Sequence, residues 1–179
     1  MKKKICNLII TILVIALIVV IAMIIIRYGK NYLNEKEISK TLTTIEEELS
    51  NQSLNNENEV LDVEYKGYKI EGIIEIPEIN IKYPIINETD EETMKISVTK
   101  FSGPQANEIG NYCIAGHNNR DGTMFGKTSH LKIGDTIKLT NLKNETIEYK
   151  IFKIYSIDPS DVTCANSVDP TTREITLIT

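Results

Sequence analysis

A run of apolar residues from Ile5 to Ile26, broken only by Asn7 and Thr11, constrains this chain before any other feature does. At 1.5 Å per residue a helix of that length is roughly 33 Å long, enough to cross the hydrocarbon core of a bilayer. A secretory signal peptide would have a shorter apolar region followed by a small-x-small cleavage site. Ala22-Met-Ile-Ile-Ile-Arg27 offers no such site. We therefore expect residues 5–26 to form an uncleaved transmembrane anchor. Lys2, Lys3 and Lys4 should hold residues 1–4 in the cytoplasm and leave everything after Arg27 outside the cell membrane, single-pass. Arg27 and Lys30 on the outer flank keep that charge bias modest. Cys6 stands at the start of the run and not after it, which does not suit a lipoprotein signal.

Residues 27–60 read as a juxtamembrane helix and linker. Ile38, Leu42, Ile45 and Leu49 recur at helical spacing, with Glu35, Lys36, Lys40 and Glu46 to Glu48 largely off that stripe. Such a helix is a spacer that packs against the following domain or lies beside the membrane, in preference to a lid or docking helix. Residues 51–59 are polar and poor in apolar side chains, as in a flexible tether. The formal net charge of −5, with no dense basic patch, argues against nucleic acid as a partner.

A globular part, residues 61–179, follows. Residues 68–76 carry short strand signals, and Pro77 and Pro84 divide the next stretch into pieces suited to barrel corners. Residues 89–100 suit a short helix with Met94 and Val98 on one face, and 101–110 a loop through Gly103-Pro104. Tyr112 to Ala115 is apolar throughout and reads as a strand buried on both faces. Strand character returns over 131–139, around a tight turn at Gly134-Asp135, and again over 146–157. Residues 158–172 are polar and rich in turn residues, and 175–179 form a last strand. Many short strands separated by turns argue for a mainly β, closed barrel with one or two short helices.

Three side-chain groups carry chemistry. His117 follows the break at Gly116, at the mouth of a rigid strand and beside a polar turn, where an imidazole is fixed in direction yet reachable for proton transfer. His130 is thirteen residues on, with no third ligand at metal spacing, and Asp90-Glu91-Glu92 reads as a solvated turn, so no metal or cofactor is expected. The cysteines form no disulfide framework. Cys113 packs as a small hydrophobe, Cys164 sits in a polar loop, and both read as free thiols, with a bridge between them left open. Cys113 is four residues before His117, roughly 13 Å at strand rise and out of proton-transfer reach.

Ala115-Gly116-His117-Asn118, the terminal Thr176-Leu177-Ile178-Thr179, and the phrase from Gly72 through Ile-Pro77 to Pro84-Ile85 together resemble the sortases, cysteine transpeptidases of Gram-positive cell surfaces. The resemblance covers about residues 67–179 and implies a sortase-like closed β-barrel preceded by the N-terminal transmembrane helix. In that family the Thr-Leu-x-Thr tetrad is followed at once by the nucleophilic cysteine, and an arginine lies on the next strand. Both positions fall beyond Thr179, so the chain reads as a barrel domain cut just before its nucleophile, and inert in that form. The resemblance makes His117 the catalytic acid–base and places Ala115, Asn118, Ile178 and Thr179 along the peptide groove. It implies as partners a Leu-Pro-x-Thr-Gly-like sorting signal near a secreted protein's carboxyl end and an acceptor amine on cell-wall precursor or a pilin. Arg120 and Arg173 do not match the family's arginine, and the subclass stays open. The alternative is a non-catalytic, membrane-tethered β-barrel that binds a peptide or wall component.

Overall fold

The computed structural model describes residues 2–55, 61–158, 160–166, 169 and 171–179, and the chain divides into two compact units, Met1–Ser39 and Lys40–Thr179. One helix, α1 (Lys2–Asn55), supplies nearly all of the first unit and the start of the second. Its apolar stretch is long enough to cross a membrane, and Ile5, Leu13, Leu17 and Ile25 are all exposed. Thr11 donates its hydroxyl to the Asn7 carbonyl at 2.9 Å, so this polar group is satisfied within the helix, as a lipid setting requires. The tether expected over 51–59 is instead helical through Asn55, and its residues 56–59 lie outside those described.

In the second unit the helix stripe does what its spacing foretells. Leu42, Ile45 and Leu49 are buried, and Leu49 lines one shallow groove with Ile73, Thr140 and Thr146 of the sheet below. Burial of each such side chain stabilises the contact by roughly 1.5–3 kcal/mol. Lys82 bridges Glu46 of the helix and Glu75 of the sheet. Burial alone would lower the Lys82 pKa, but the two carboxylates outweigh it and hold the ammonium above its ordinary value.

The sheet is built from β1 (Glu64–Tyr65), β2 (Tyr68–Ile76), β3 (Ile81–Ile86), β4 (Val98–Ser102), β5 (Gly110–Ala115), β6 (Thr136–Asn141), β7 (Thr146–Lys150) and β8 (Arg173–Ile178). Its order is β7-β6-β2-β3-β4-β5-β8, with β1 paired to β2, and it curls into a nearly closed barrel. The β3–β4 and β5–β8 pairs are parallel and the others antiparallel. Ile74, Ile76, Ile85, Val98, Ile114, Phe125 and Leu139 form the core, each fully buried.

Asn107 ties the two ends of the sheet together. Its side-chain amide donates to the carbonyls of Leu139 (3.0 Å) and Glu145 (2.7 Å), and its side-chain oxygen accepts from the Tyr149 hydroxyl. Its own carbonyl accepts from Arg173 Nε of β8 at 2.7 Å. One loop residue thus clasps the β6–β7 hairpin to β8. A second polar cluster crosses the wall. The β2 bulge between Ile70 and Gly72 redirects Glu71, which pairs with Lys100 at 2.7 Å and accepts from the Tyr112 hydroxyl at 2.9 Å. Burial, then the Glu71 charge, drives the Tyr112 phenol well above its ordinary pKa.

Local boundaries differ from the sequence reading in four places. The helix expected over 89–100 is only α2 (Thr93–Ile96), because Val98 and Thr99 pair with Ile85 and Ile86 instead. Pro84 lies inside β3; β4 joins β3 only from Ile85 onward, so the missing N–H at Pro84 faces no ladder partner there, and Ser97 donates to the Pro84 carbonyl at 2.6 Å. The 131–139 segment becomes strand only from Thr136, after a turn held by the Asp135 carboxylate on Lys132 N–H. Strand β7 ends at Lys150, and Phe152, Ile154 and Tyr155 beyond it are exposed without regular structure.

Candidate active site

His117 owes its position to the residues on either side of it. Strand β5 is apolar and buried from Tyr112 through Ala115, and it runs parallel to β8 with Cys113 opposite Thr176 and Ala115 opposite Ile178. Gly116 extends the pairing by one bond, donating its N–H to the Ile178 carbonyl at 3.0 Å. A Cβ at position 116 would stand 2.8 Å from Phe125 Cδ2 and 2.9 Å from Val98 Cγ1. Position 116 therefore faces the core, and only glycine fits it.

Past Gly116 the chain turns back on itself. Phe125 N–H donates to the His117 carbonyl at 3.0 Å, and Asn118 forms a bridge with Met124. Within the turn Asp121 accepts from the Thr123 N–H and hydroxyl, and Asn119 donates to the same hydroxyl. At Gly126 a Cβ would lie 2.1 Å from the Asn119 carbonyl, so the turn closes only on glycine. Met124 adopts φ 50°, and its N–H donates to the Tyr83 hydroxyl of β3 at 2.9 Å. The turn is thereby pinned at both ends, and the His117 side chain is left exposed to solvent. That combination, a rigid backbone beneath a free imidazole, suits proton transfer to a bound substrate.

Strand alternation sorts the other candidates. Asn111, Cys113 and Ala115 share one face of β5, and their partners Glu174, Thr176 and Ile178 share it on β8. Ala115 and Ile178 are thus neighbours on a single surface, and continuing the alternation brings His117 onto it as well. Thr179, the next residue after Ile178, lies past the end of β8 and is exposed. Asn118 lies in the turn beside His117. Arg173 is at the far end of β8, opposite Gly110 and committed to the Asn107 carbonyl, so it does not approach His117. Arg120 is in the exposed turn, and His130 ends an exposed 3-10 turn, Thr128–His130. Among the described residues no cluster of three or more His, Cys, Asp or Glu is placed to hold a metal.

Of the supports, the sequence pattern marked Gly116 and Thr176 but not Tyr83, Val98, Phe125 or Asn111 as such. Tyr83, Val98 and Phe125 are separated from His117 in sequence or look like ordinary core. Asn111 and Thr176 hold the segment before β8 in place: Asn111 donates to the carbonyls of Cys164 (3.0 Å) and Asn166 (3.3 Å), and accepts from the Thr176 hydroxyl (2.9 Å). A buried, paired asparagine in mid-strand is the one signal that could have marked this anchor.

The sequence profile of the Sortase domain family matches residues 74–179, a stretch that holds both the His117 strand and β8. The chain belongs to the sortase family. Sortase A of Listeria monocytogenes is 31% identical over 116 residues, 64% of this chain and 51% of that protein. Sortase D of Bacillus subtilis is 34% identical over 91 residues, 50% of this chain and 44% of that protein. The chain matches about half the length of these two relatives. The solved structure of a Clostridium perfringens Sortase D5 transpeptidase superposes with a TM-score of 0.57 at 25% identity, covering 74% of this chain and 82% of that one. The barrel and its preceding helix are thus a sortase architecture, and His117 lies within the matched segment, two residues past the end of β5.

Proposed function

We propose that this sortase-family chain is the body of a membrane-anchored cysteine transpeptidase. Its substrate is a Leu-Pro-x-Thr-Gly-like sorting signal near the carboxyl end of a secreted protein, which it joins to an amine on cell-wall precursor or a pilin. Residues 5–26 are the anchor, residues 1–4 are cytoplasmic, and the domain beginning near residue 61 faces outward, where such substrates emerge.

The register of β5 against β8 carries this reading. Ala115 pairs with Ile178 in the last pair of the ladder, and Gly116 N–H still donates to the Ile178 carbonyl at 3.0 Å. A residue following Thr179 in the same register stands opposite His117, one inter-strand spacing of about 4.8 Å away and projecting to the same face. A cysteine there would present its sulfur beside the imidazole. Its thiolate attacks the substrate carbonyl, and His117 protonates the leaving amine, then takes a proton from the incoming one. An arginine further on would hold the developing oxyanion, where loss of one donor commonly costs ~10²–10³ in rate. Ala115, Ile178, Asn118 and Thr179 border the peptide's path.

Within residues 1–179 no thiol stands beside His117, since Cys113 lies lower on β5 and Cys164 in the 3-10 turn Thr163–Ala165. Loss of a nucleophile costs about 10⁶ in turnover in a comparable enzyme, so the transpeptidase reading requires a cysteine following Thr179. That same observation favours a second reading, a tethered, non-catalytic peptide-binding barrel. Reading the codons after Thr179 and treating the encoded protein with a vinyl-sulfone analogue of the sorting peptide separates the two. A thioether on a cysteine next to Thr179 supports the transpeptidase. A stop codon, or a protein that binds the peptide without reacting, supports the binding barrel.

A further inference from the structure

The face shared by Asn111, Cys113 and Ala115 is not bare along its length. Below Ala115 it is covered by the 3-10 turn Thr163–Ala165. Asn111 Nδ2 donates to the Cys164 carbonyl at 3.0 Å, and Thr176 Oγ1, whose proton goes to Asn111 Oδ1 at 2.9 Å, lies 3.4 Å from the same carbonyl. The Cys113 sulfur lies 3.8 Å from the carbonyl oxygen of Ala165, the next residue. The turn's backbone at 164–165 is thus seated directly on Cys113. Burial pushes the Cys113 thiol above its ordinary pKa, and the Cys164 thiol adds to the rise. Their exposures differ, Cys113 being buried and Cys164 half-exposed.

We propose that Cys113 and Cys164 form a redox pair whose disulfide fastens the Thr163–Ala165 turn to β5, next to the Ala115–Ile178 face. The Cys164 thiolate attacks a small-molecule disulfide and forms a mixed disulfide, expelling one small thiolate. Cys113 then gives up its proton to that thiolate and attacks Cys164 Sγ, forming the Sγ–Sγ bond and expelling the second small thiolate, which takes up the proton Cys164 released on ionising. Two protein thiols are oxidised and one small disulfide is reduced to two thiols, so atoms and electrons balance. The closed bond adds a covalent anchor to a turn now held by hydrogen bonds alone, eight residues before β8 begins. Disulfides persist in oxidising compartments, which agrees with the outward placement proposed above; the chemistry of the pair does not depend on it.

The test uses the full chain carrying Cys6→Ser, with any cysteine encoded beyond Thr179 also changed to serine, so that Cys113 and Cys164 are the thiols that remain. The native protein is incubated with oxidised glutathione, alkylated, digested without reduction and analysed by mass spectrometry. The expected product is a monomer containing a Cys113–Cys164 cross-linked peptide, lighter by two hydrogens. Cys164→Ser should abolish the cross-link and leave Cys113 unmodified until denaturant is added. Cys113→Ser should instead retain one stable glutathione on Cys164. Should Cys113→Ser fold poorly, Cys164→Ser and the unsubstituted pair still decide the matter. Limited proteolysis within residues 158–172 should slow about tenfold or more in the oxidised form, because cleavage follows the open population. A glutathione adduct that stays on Cys164 with Cys113 intact, cross-linking only between molecules or only in denaturant, or unchanged proteolysis of the oxidised protein would overturn the proposal.

Discussion

Replacing Gly116 by alanine adds one methyl group at the point where β5 hands the chain to His117. The new carbon would stand 2.8 and 3.0 Å from two ring carbons of Phe125 and 2.9 Å from Val98 Cγ1. Carbon atoms in a packed core rest at about 3.5–4.0 Å, so each contact is short by roughly 0.5–1 Å. Neither neighbour has room to retreat, since Phe125 and Val98 are both 0% exposed. Overpacking of this kind costs about 1–3 kcal/mol, which for a domain of this size lowers the melting temperature by about 3–15 °C. Thermal unfolding should be followed by near-ultraviolet circular dichroism, which reports chiefly the tyrosines, six of the eight lying outside the long helix. Pairing Gly116→Ala with Val98→Ala supplies the sharper comparison. Removal of Cγ1 opens the space the methyl group needs, so the double substitution should cost less than the sum of the singles by about 0.5–2 kcal/mol. A melting temperature within about 1 °C of the parent, or strict additivity, would refute the claim that core packing sets the His117 backbone.

Two further predictions concern the frame around the site. Asn107→Ala removes three side-chain hydrogen bonds and leaves the Leu139 and Glu145 carbonyls short of a donor, at about 2–4 kcal/mol. Because Asn107 adopts φ 69°, Asn107→Gly should unfold about 1 kcal/mol later than Asn107→Ala in denaturant titrations; equal losses would remove strain from the account. Acid stability is the other. Asp158, Asp161 and Asp169 are held below their ordinary pKa, first by the hydroxyls of Ser160, Thr163 and Thr171, and Asp90 and Glu78 chiefly by the N–H groups of Thr93 and Thr136. Carboxylates with lowered folded values contribute fully above about pH 4 and lose that contribution as pH falls through those values. The melting temperature should therefore hold from pH 7 to about 5 and decline below 4. A melting temperature that rises on acidification would contradict the assignment.

Local pattern carried the parts of this molecule that are decided locally. The apolar run at 5–26, the stripe at Leu42, Ile45 and Leu49, and the buried strand ending at Ala115 each follow from residue spacing. Features settled by distant partners did not show. Val98 looks helical beside Met94 until Ile85 offers a parallel strand. The alternation at 146–157 continues past Lys150, but among the described residues no strand pairs with Phe152 to Ile157. Asn107 reads as an ordinary loop residue, although its partners lie 32 to 66 positions away. At the site, His117 was visible because a glycine break and a polar turn surround it. What holds it, Tyr83, Val98 and Phe125, comes together only in the folded barrel, as does the seat of the Cys164 turn on Cys113.

The proposed role of His117 is tested most directly by transpeptidation kinetics of the protein encoded through the codons after Thr179. A Leu-Pro-x-Thr-Gly peptide and a small amine acceptor serve as substrates, with the parent compared with His117→Ala. Positioned acid–base groups contribute about 10²–10⁴-fold, so kcat/KM should fall by that factor while the melting temperature stays within a few degrees. A His117→Ala protein that still joins peptide to amine at the parental rate would contradict the account.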